Sequence, residues 1–234
     1  MTSKAMWMVR AGEGGLLVDD FRAESIVGIG WVKLGDMTAL VTRADFTRAV
    51  AQAYPNDKAG QKASAAGQTY RFVREIAVGD QVVSYDRGER VYLVGEVTGD
   101  YEWQPQPLAD HPNLRRVRWL GQVGRDALSV AARNSLGAIS TLFLVPAAVA
   151  AEIRALLAQG ASGAPQAAPV VPAEADGETD ELYKDVQSRG FEFIKDRINA
   201  LDWSEMQELV AGLLRAMGYK TRISPSGSDR GKDI

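Results

Sequence analysis

The chain has 234 residues, is 46% hydrophobic and carries a net charge of −3, enough apolar content for one or two packed domains and no global polycation to announce nucleic acid. With no cysteine and a single histidine, His111, disulfides, thiolate metal sites and the usual His/Cys zinc centre are excluded. A bound metal would be held by carboxylates and would be a hard ion such as Mg²⁺. No apolar run approaches the roughly 20 residues that span a bilayer, and no signal-peptide pattern opens the chain, so the expected location is cytoplasmic.

Up to residue 157, short β-like runs alternate with turn signals. The apolar, β-branched stretch SIVGIGWVKL (25–34) predicts a strand, and Arg43 to Ala53 a helix. DQVVSYD follows a Gly79-Asp80 turn, and RVYLVGEVTGDYEW (90–103) is expected to pair back on it across Arg87-Gly88-Glu89. In NLRRVRWLG (113–121), alternation puts Val117 and Trp119 on one face and Arg116 and Arg118 on the other. Helices are expected at Asp126–Ala131 and Ala147–Leu157. The pattern is that of an α+β domain with a strongly bent, barrel-like sheet.

Trp7 and Trp119 sit in apolar alternation and read as core. GEGG (12–15) lacks the lysine and helix of a phosphate loop and reads as a turn. Ser129 and Ser204 have no histidine near them in sequence, and His111 beside Pro112 reads as a loop residue, which disfavours serine hydrolase chemistry.

Residues 158–180, AQGASGAPQAAPVVPAEADGETD, are rich in Ala, Pro and Gly, lack aromatics and end in acids, the composition of a semi-extended tether. Residues 181–234 then form a second region. Leu182, Val186, Phe193, Ile194 and Ile198 recur at helical spacing. LDWSEMQELVAGLLRAMGY (201–219) predicts another helix, capped by Asp202 or Ser204 and closed by Gly218. A strand is expected over Tyr219–Ile223, followed by the loop SPSGSDRGKDI, where Asp229 and Asp233 stand between glycines. Asp and Gly cluster in plain turns; on a tight loop leaving a strand they also suit metal-dependent phosphodiester chemistry.

The stretch EMQELVAGLLRAMGYKTRISPSGSDRGKDI (205–234) resembles the start of the catalytic domain of Mrr-type restriction endonucleases, in the PD-(D/E)xK superfamily. The shared features are a helix with Leu213 or Leu214 before Gly218-Tyr219, a strand, and the loop Gly227-x-Asp229-x-Gly231-x-Asp233. The resemblance implies that Asp233 binds the metal, Mg²⁺, with Asp229 as its neighbour, and that Glu208 matches the first-helix glutamate of family members. It also implies a Glu/Gln-x-Lys on a following strand, which Lys232 does not replace. The expectation is therefore an incomplete restriction-endonuclease-like α/β domain that binds DNA without cutting it.

The segments SIVGIGW and VGDQVVSYDRGERVYLVGEVTGDYEW resemble, in strand order and aromatics, the PUA-like group that includes EVE domains. That resemblance implies a small barrel whose pocket takes a flipped, modified base. Trp31, Tyr101 and Trp103 are then the pocket candidates, and Arg43, Arg115, Arg116 and Arg118 the phosphate contacts. The combined expectation is a modification-dependent restriction endonuclease acting on DNA. Two alternatives stand beside it. One is a non-catalytic PUA-like module for modified RNA or DNA; the other treats the last helices as a homodimerisation unit through Leu209, Leu213 and Met217.

Overall fold

A computed structural model describes residues 4–104, 108, 110–138, 140–160, 190 and 193–223. The chain divides into two units, Met1–Leu182 and Tyr183–Ile234.

The first unit is built on six strands: β1 (Met6–Val9), β2 (Ile26–Ile29), β3 (Gln81–Asp86), β4 (Val91–Trp103), β5 (Asn113–Gly124) and β6 (Leu142–Leu144). They form one open sheet in the order β2-β5-β4-β3-β1-β6, parallel between β1 and β3 and antiparallel elsewhere. Both faces are covered, and the side-chain period of two sorts each strand between them. Trp7, Val9, Val82 and Leu93 face one core with Phe21 and Phe72. Met6, Met8, Val83, Tyr92 and Val94 face the other, under α4 (Val130–Leu136) and α5 (Ala147–Ala158).

The expected hairpin forms, with Gln81 opposite Glu96 and Asp86 opposite Val91. Asp86 Oδ1 accepts the N–H groups of Gly88 and Glu89, which closes the turn. The long β4–β5 ladder is irregular between Val94 and Gly95 and between Val97 and Tyr101, and bulges of this kind bend strands. At the first of these, the Trp119 ring lies over Gly95: an added Cβ would stand 2.9 Å from it, so only glycine fits.

Helix α2 (Arg43–Ala53) matches its expected bounds because a capping box marks its start: Thr42 accepts the Asp45 N–H, and Asp45 accepts the Thr42 N–H at 2.8 Å. Helix α5 likewise begins at Ala147 as expected and runs one residue further than read. Other expectations need correction. The strand read over 25–34 stops at Ile29, because Trp31 takes a left-handed conformation (φ 58°) and Val32–Leu34 turn as a 3-10 helix. The helix expected at Asp126–Ala131 is a 3-10 turn at Arg125–Ala127, followed by α4. Ser129 splits the two by accepting the Ala132 N–H as the new N-cap.

Helices α1 (Val18–Glu24) and α3 (Ala59–Tyr70) gave no clear periodic signal. Together with α2, α3 makes an insert between β2 and β3 that has its own core: Met37, Phe46, Val50, Ala65, Ala66 and Val73.

The second unit contains helical residues 193–199 and α6 (Trp203–Ala216). Of the two expected caps, Asp202 is the N-cap, and it forms a capping box with Glu205. The helix closes as a Schellman motif on Gly218 (φ 91°), with Gly218 N–H on Arg215 O and Tyr219 N–H on Leu214 O, both at 3.0 Å. Residues 219–223 are not a strand; among the described residues none pairs with them.

Candidate nucleic-acid interface

The residues proposed for base recognition gather where β2, β4 and β5 meet the helical insert. Asn113, fully buried at the start of β5, donates through Nδ2 to Gly30 O at 2.5 Å. Its Oδ1 accepts the Tyr101 hydroxyl at 2.7 Å, and that hydroxyl in turn accepts the Met37 N–H at 3.2 Å. The Tyr101 ring lies edge-on to Phe72 with centroids 6.5 Å apart. Burial pushes its phenol up to about 12. Tyr101 therefore bolts the insert to the sheet.

Trp31 is half-buried and packs against both the sheet core and the core of the insert. Its left-handed backbone is unusual for a bulky residue, and Asp110 nearby is also left-handed (φ 60°). A Cβ on Gly30 would stand 3.4 Å from Asp110 O, so the loop before β5 lies against the end of β2. Trp103, at the end of β4 opposite Asn113, is 37% exposed and offers an accessible aromatic face.

The arginines separate into three environments. Arg115 is buried, and its guanidinium points inward. The cause lies in the π-turn Arg71–Glu75 that ends α3. There Ile76 N–H reaches back to Arg71 O, which leaves the carbonyls of Phe72 and Val73 without helical donors. Arg115 supplies them, Nε to Phe72 O at 2.8 Å and Nη2 to Val73 O at 3.0 Å, and Nη1 reaches Gly99 O at 3.3 Å. Desolvation lowers its pKa from the ordinary arginine range, partly opposed by Asp100 and Asp80. It braces the fold where a phosphate contact was expected. Alternation carried this signal: Arg115 shares the inward parity of Val117.

Arg116 and Arg118 are exposed on β5, paired with Glu102 at 3.4 Å and Glu96 at 3.2 Å. Glu96 also takes Lys4 at 2.9 Å. Each of the two arginines on this face thus has a carboxylate partner. Arg43 opens α2, stacks on the Tyr70 ring at 4.7 Å and ion-pairs with Glu75. Arg71 reaches the same carboxylate at 3.8 Å. Neither Arg71 nor Glu75 was singled out in sequence, although residues 31–75 hold seven Lys/Arg against four Asp/Glu.

Trp7 and Trp119 are core-facing as expected. Trp7 Nε1 donates to Asp80 Oδ2 at 3.1 Å, and Trp119 Nε1 to Phe21 O at 3.0 Å. Asp80 also accepts from Ala5 and Ala77 N–H, which fixes the turn after Gly79 (φ 93°).

The proposed metal ligands Asp229 and Asp233 lie outside the described residues. Among the described residues no group of three His, Asp or Glu side chains could hold a metal. Glu208 is exposed on α6. Phe193, Ile194, Arg197, Ile198, Leu201 and Leu209 line an apolar groove of about 360 Å³ in this unit. Among the described residues no helix is long and apolar enough to cross a membrane.

Residues 7–142 match a family model described as a domain of unknown function (DUF8426). Residues 198–234 match the model of the Mrr catalytic domain, described as a restriction endonuclease. No curated protein and no solved structure matches the chain.

Proposed function

Because the chain belongs to the family described as a domain of unknown function (DUF8426) and carries a Mrr-type nuclease portion, we propose that it is part of a modification-dependent restriction endonuclease. The match at 198–234 is the observation that carries this reading. In it, the second unit belongs to a domain that hydrolyses DNA phosphodiesters, and the first unit selects the DNA. Asp233, with Asp229 beside it, would hold Mg²⁺; a carboxylate donor set suits that ion. The metal's contribution there would be stabilisation of charge on the phosphate.

The first unit is proposed to act as a PUA-like reader that stacks an extruded modified base. Trp103 supplies the open aromatic face, and Trp31 the adjoining wall. Tyr101 holds that wall in place, since its hydroxyl is committed to Asn113 and Met37. Extrusion costs a few kcal/mol, and stacking on an aromatic returns about 1–3 kcal/mol.

The test is binding of the chain to short duplexes that carry methylated, hydroxymethylated or unmodified cytosine, or methylated adenine. Tighter binding of one modification, reduced about tenfold in Trp103→Ala, is the expected result. Equal binding to all duplexes, unchanged by Trp103→Ala, rejects the modified-base reading.

A further inference from the structure

The insert between β2 and β3 carries a charge opposite in sign to that of the whole chain. Residues 31–75 have an excess of three positive charges, while the total is −3. At the corner formed by the π-turn and the start of α2, that excess is concentrated. Arg43 and Arg71 converge on Glu75. Two guanidinium groups there share one carboxylate, whereas on β4 and β5 Arg116 and Arg118 each have one.

The corner is also rigid. Arg74 donates through Nε to Leu40 O at 2.7 Å and through Nη2 to Thr38 O at 2.6 Å, which holds the loop that leads into α2. Arg43 lies over the ring of Tyr70, which stands edge-on to Phe46 with centroids 5.5 Å apart. Met37, bound to the Tyr101 hydroxyl, begins the same loop, so the corner is continuous with Trp31 and Tyr101. Meanwhile the pair remains open to water: the side chains of Arg43 and Arg71 are 63% and 39% exposed.

Two guanidinium groups fixed around one half-buried carboxylate make a site for an anion with more acceptor oxygens than the carboxylate has. We propose that Arg43 and Arg71 grip one backbone phosphate of duplex DNA, and that Glu75 is the counter-ion the phosphate displaces. The inference rests on the reading of this chain as DNA-binding. Of the expected phosphate contacts it keeps Arg43, adds Arg71, and sets aside the β5 face, where Arg116 and Arg118 are matched by acids. Glu75 then sets affinity by competition: it holds the arginines in place without DNA and must be released when DNA binds.

This role has a signature that a structural ion pair lacks, because removing the carboxylate should tighten binding. Titration of the full chain with an unmodified duplex at several salt concentrations reads it. Glu75→Gln is expected to bind severalfold more tightly. Arg43→Gln and Arg71→Gln are expected to bind about tenfold more weakly, each with a salt slope shallower by about one. Should Arg71→Gln unfold, as a thermal melt would show, the exposed Arg43→Gln and Glu75→Gln still carry the test.

Unchanged or weaker binding by Glu75→Gln overturns the proposal, as does wild-type affinity in Arg43→Gln. Tighter binding of a duplex RNA of the same sequence overturns DNA as the partner. Since these titrations use unmodified DNA, the proposal can stand while modified-base selection fails, and the reverse. Absence of any duplex binding rejects both.

Discussion

The two units treat their apolar residues in opposite ways. In the first, Phe21, Phe46, Phe72, Met8 and Val9 are wholly enclosed, and strand alternation feeds two cores at once. In the second, Gln207 and Ala211 are the only buried side chains among the described residues, while Leu213 and Met217 are 60% and 64% exposed. The first unit is held by burial, which sums over many contacts. The second is held by devices at the ends of one helix: a capping box at Asp202 and a glycine closure at Gly218. Local devices of that kind are worth about 1 kcal/mol each and do not by themselves stabilise a domain.

The sharpest way to break this comparison is to delete a large side chain from each unit. Phe21→Ala should destabilise the first unit by about 3–5 kcal/mol, through lost burial and the cavity left behind. Leu213→Ala should cost less than about 0.5 kcal/mol, since its side chain has little to lose. Denaturant unfolding followed by tryptophan fluorescence checks both, because four of the five tryptophans lie in the first unit and only Trp203 in the second. Equal costs would mean that Leu213 is covered in solution.

The same contrast explains what could be read from sequence. Helix α2 was read at its true bounds, which the structure fixes with the Thr42–Asp45 capping box, and Asp202 was legible as a cap of α6. The β3–β4 hairpin was legible because alternation and a turn agreed. Helix α3 was not, since AGQKASAAGQTY carries two glycines and no broad apolar stripe; it is helical because Ala65 and Ala66 pack against Phe46 and Val50. The proposed strand at 219–223 shows the opposite failure, because β-prone residues need a partner to form a ladder. At the candidate interface, residue type singled out Arg43 and Trp103, which the fold leaves exposed, but could not show that Tyr101 faces Asn113. Nor could sequence show that Glu75 sits between two arginines, a meeting of α2 with a π-turn about 30 residues away.

Tyr101 tests the joint between sheet and insert with a smaller effect. Tyr101→Phe removes the hydroxyl that links Met37 to Asn113 and should cost about 1 kcal/mol. It should also change the alkaline limb of the stability curve. In the fold this phenol titrates near 12, above its ordinary value of 10.0, so the folded state keeps a proton that the unfolded chain loses. That contribution is constant below pH 10 and falls as pH rises from 10 to 12. The variant should therefore decline less steeply across that window. Some slope should remain, since burial also raises the Tyr54 phenol. Identical alkaline limbs in denaturant titrations would show that the joint opens before the phenol titrates.

A cap substitution in each unit separates the units most cleanly. Asp202→Ala removes an N-cap oxygen from the Glu205 N–H, and with it half of a capping box. The loss should be about 1 kcal/mol, borne by α6 alone. Far-UV circular dichroism should report reduced helix content, because α6 has little burial to offset the lost cap, while the fluorescence transition of the first unit stays where it is. Thr42→Ala makes the matching change at α2, where the helix packs through Phe46 and Val50. There the same kind of loss should leave helix content unchanged and appear as a lower midpoint of the first unit's transition. A cap that melts its helix in one unit and merely lowers a midpoint in the other distinguishes a helix held by its ends from one held by its face.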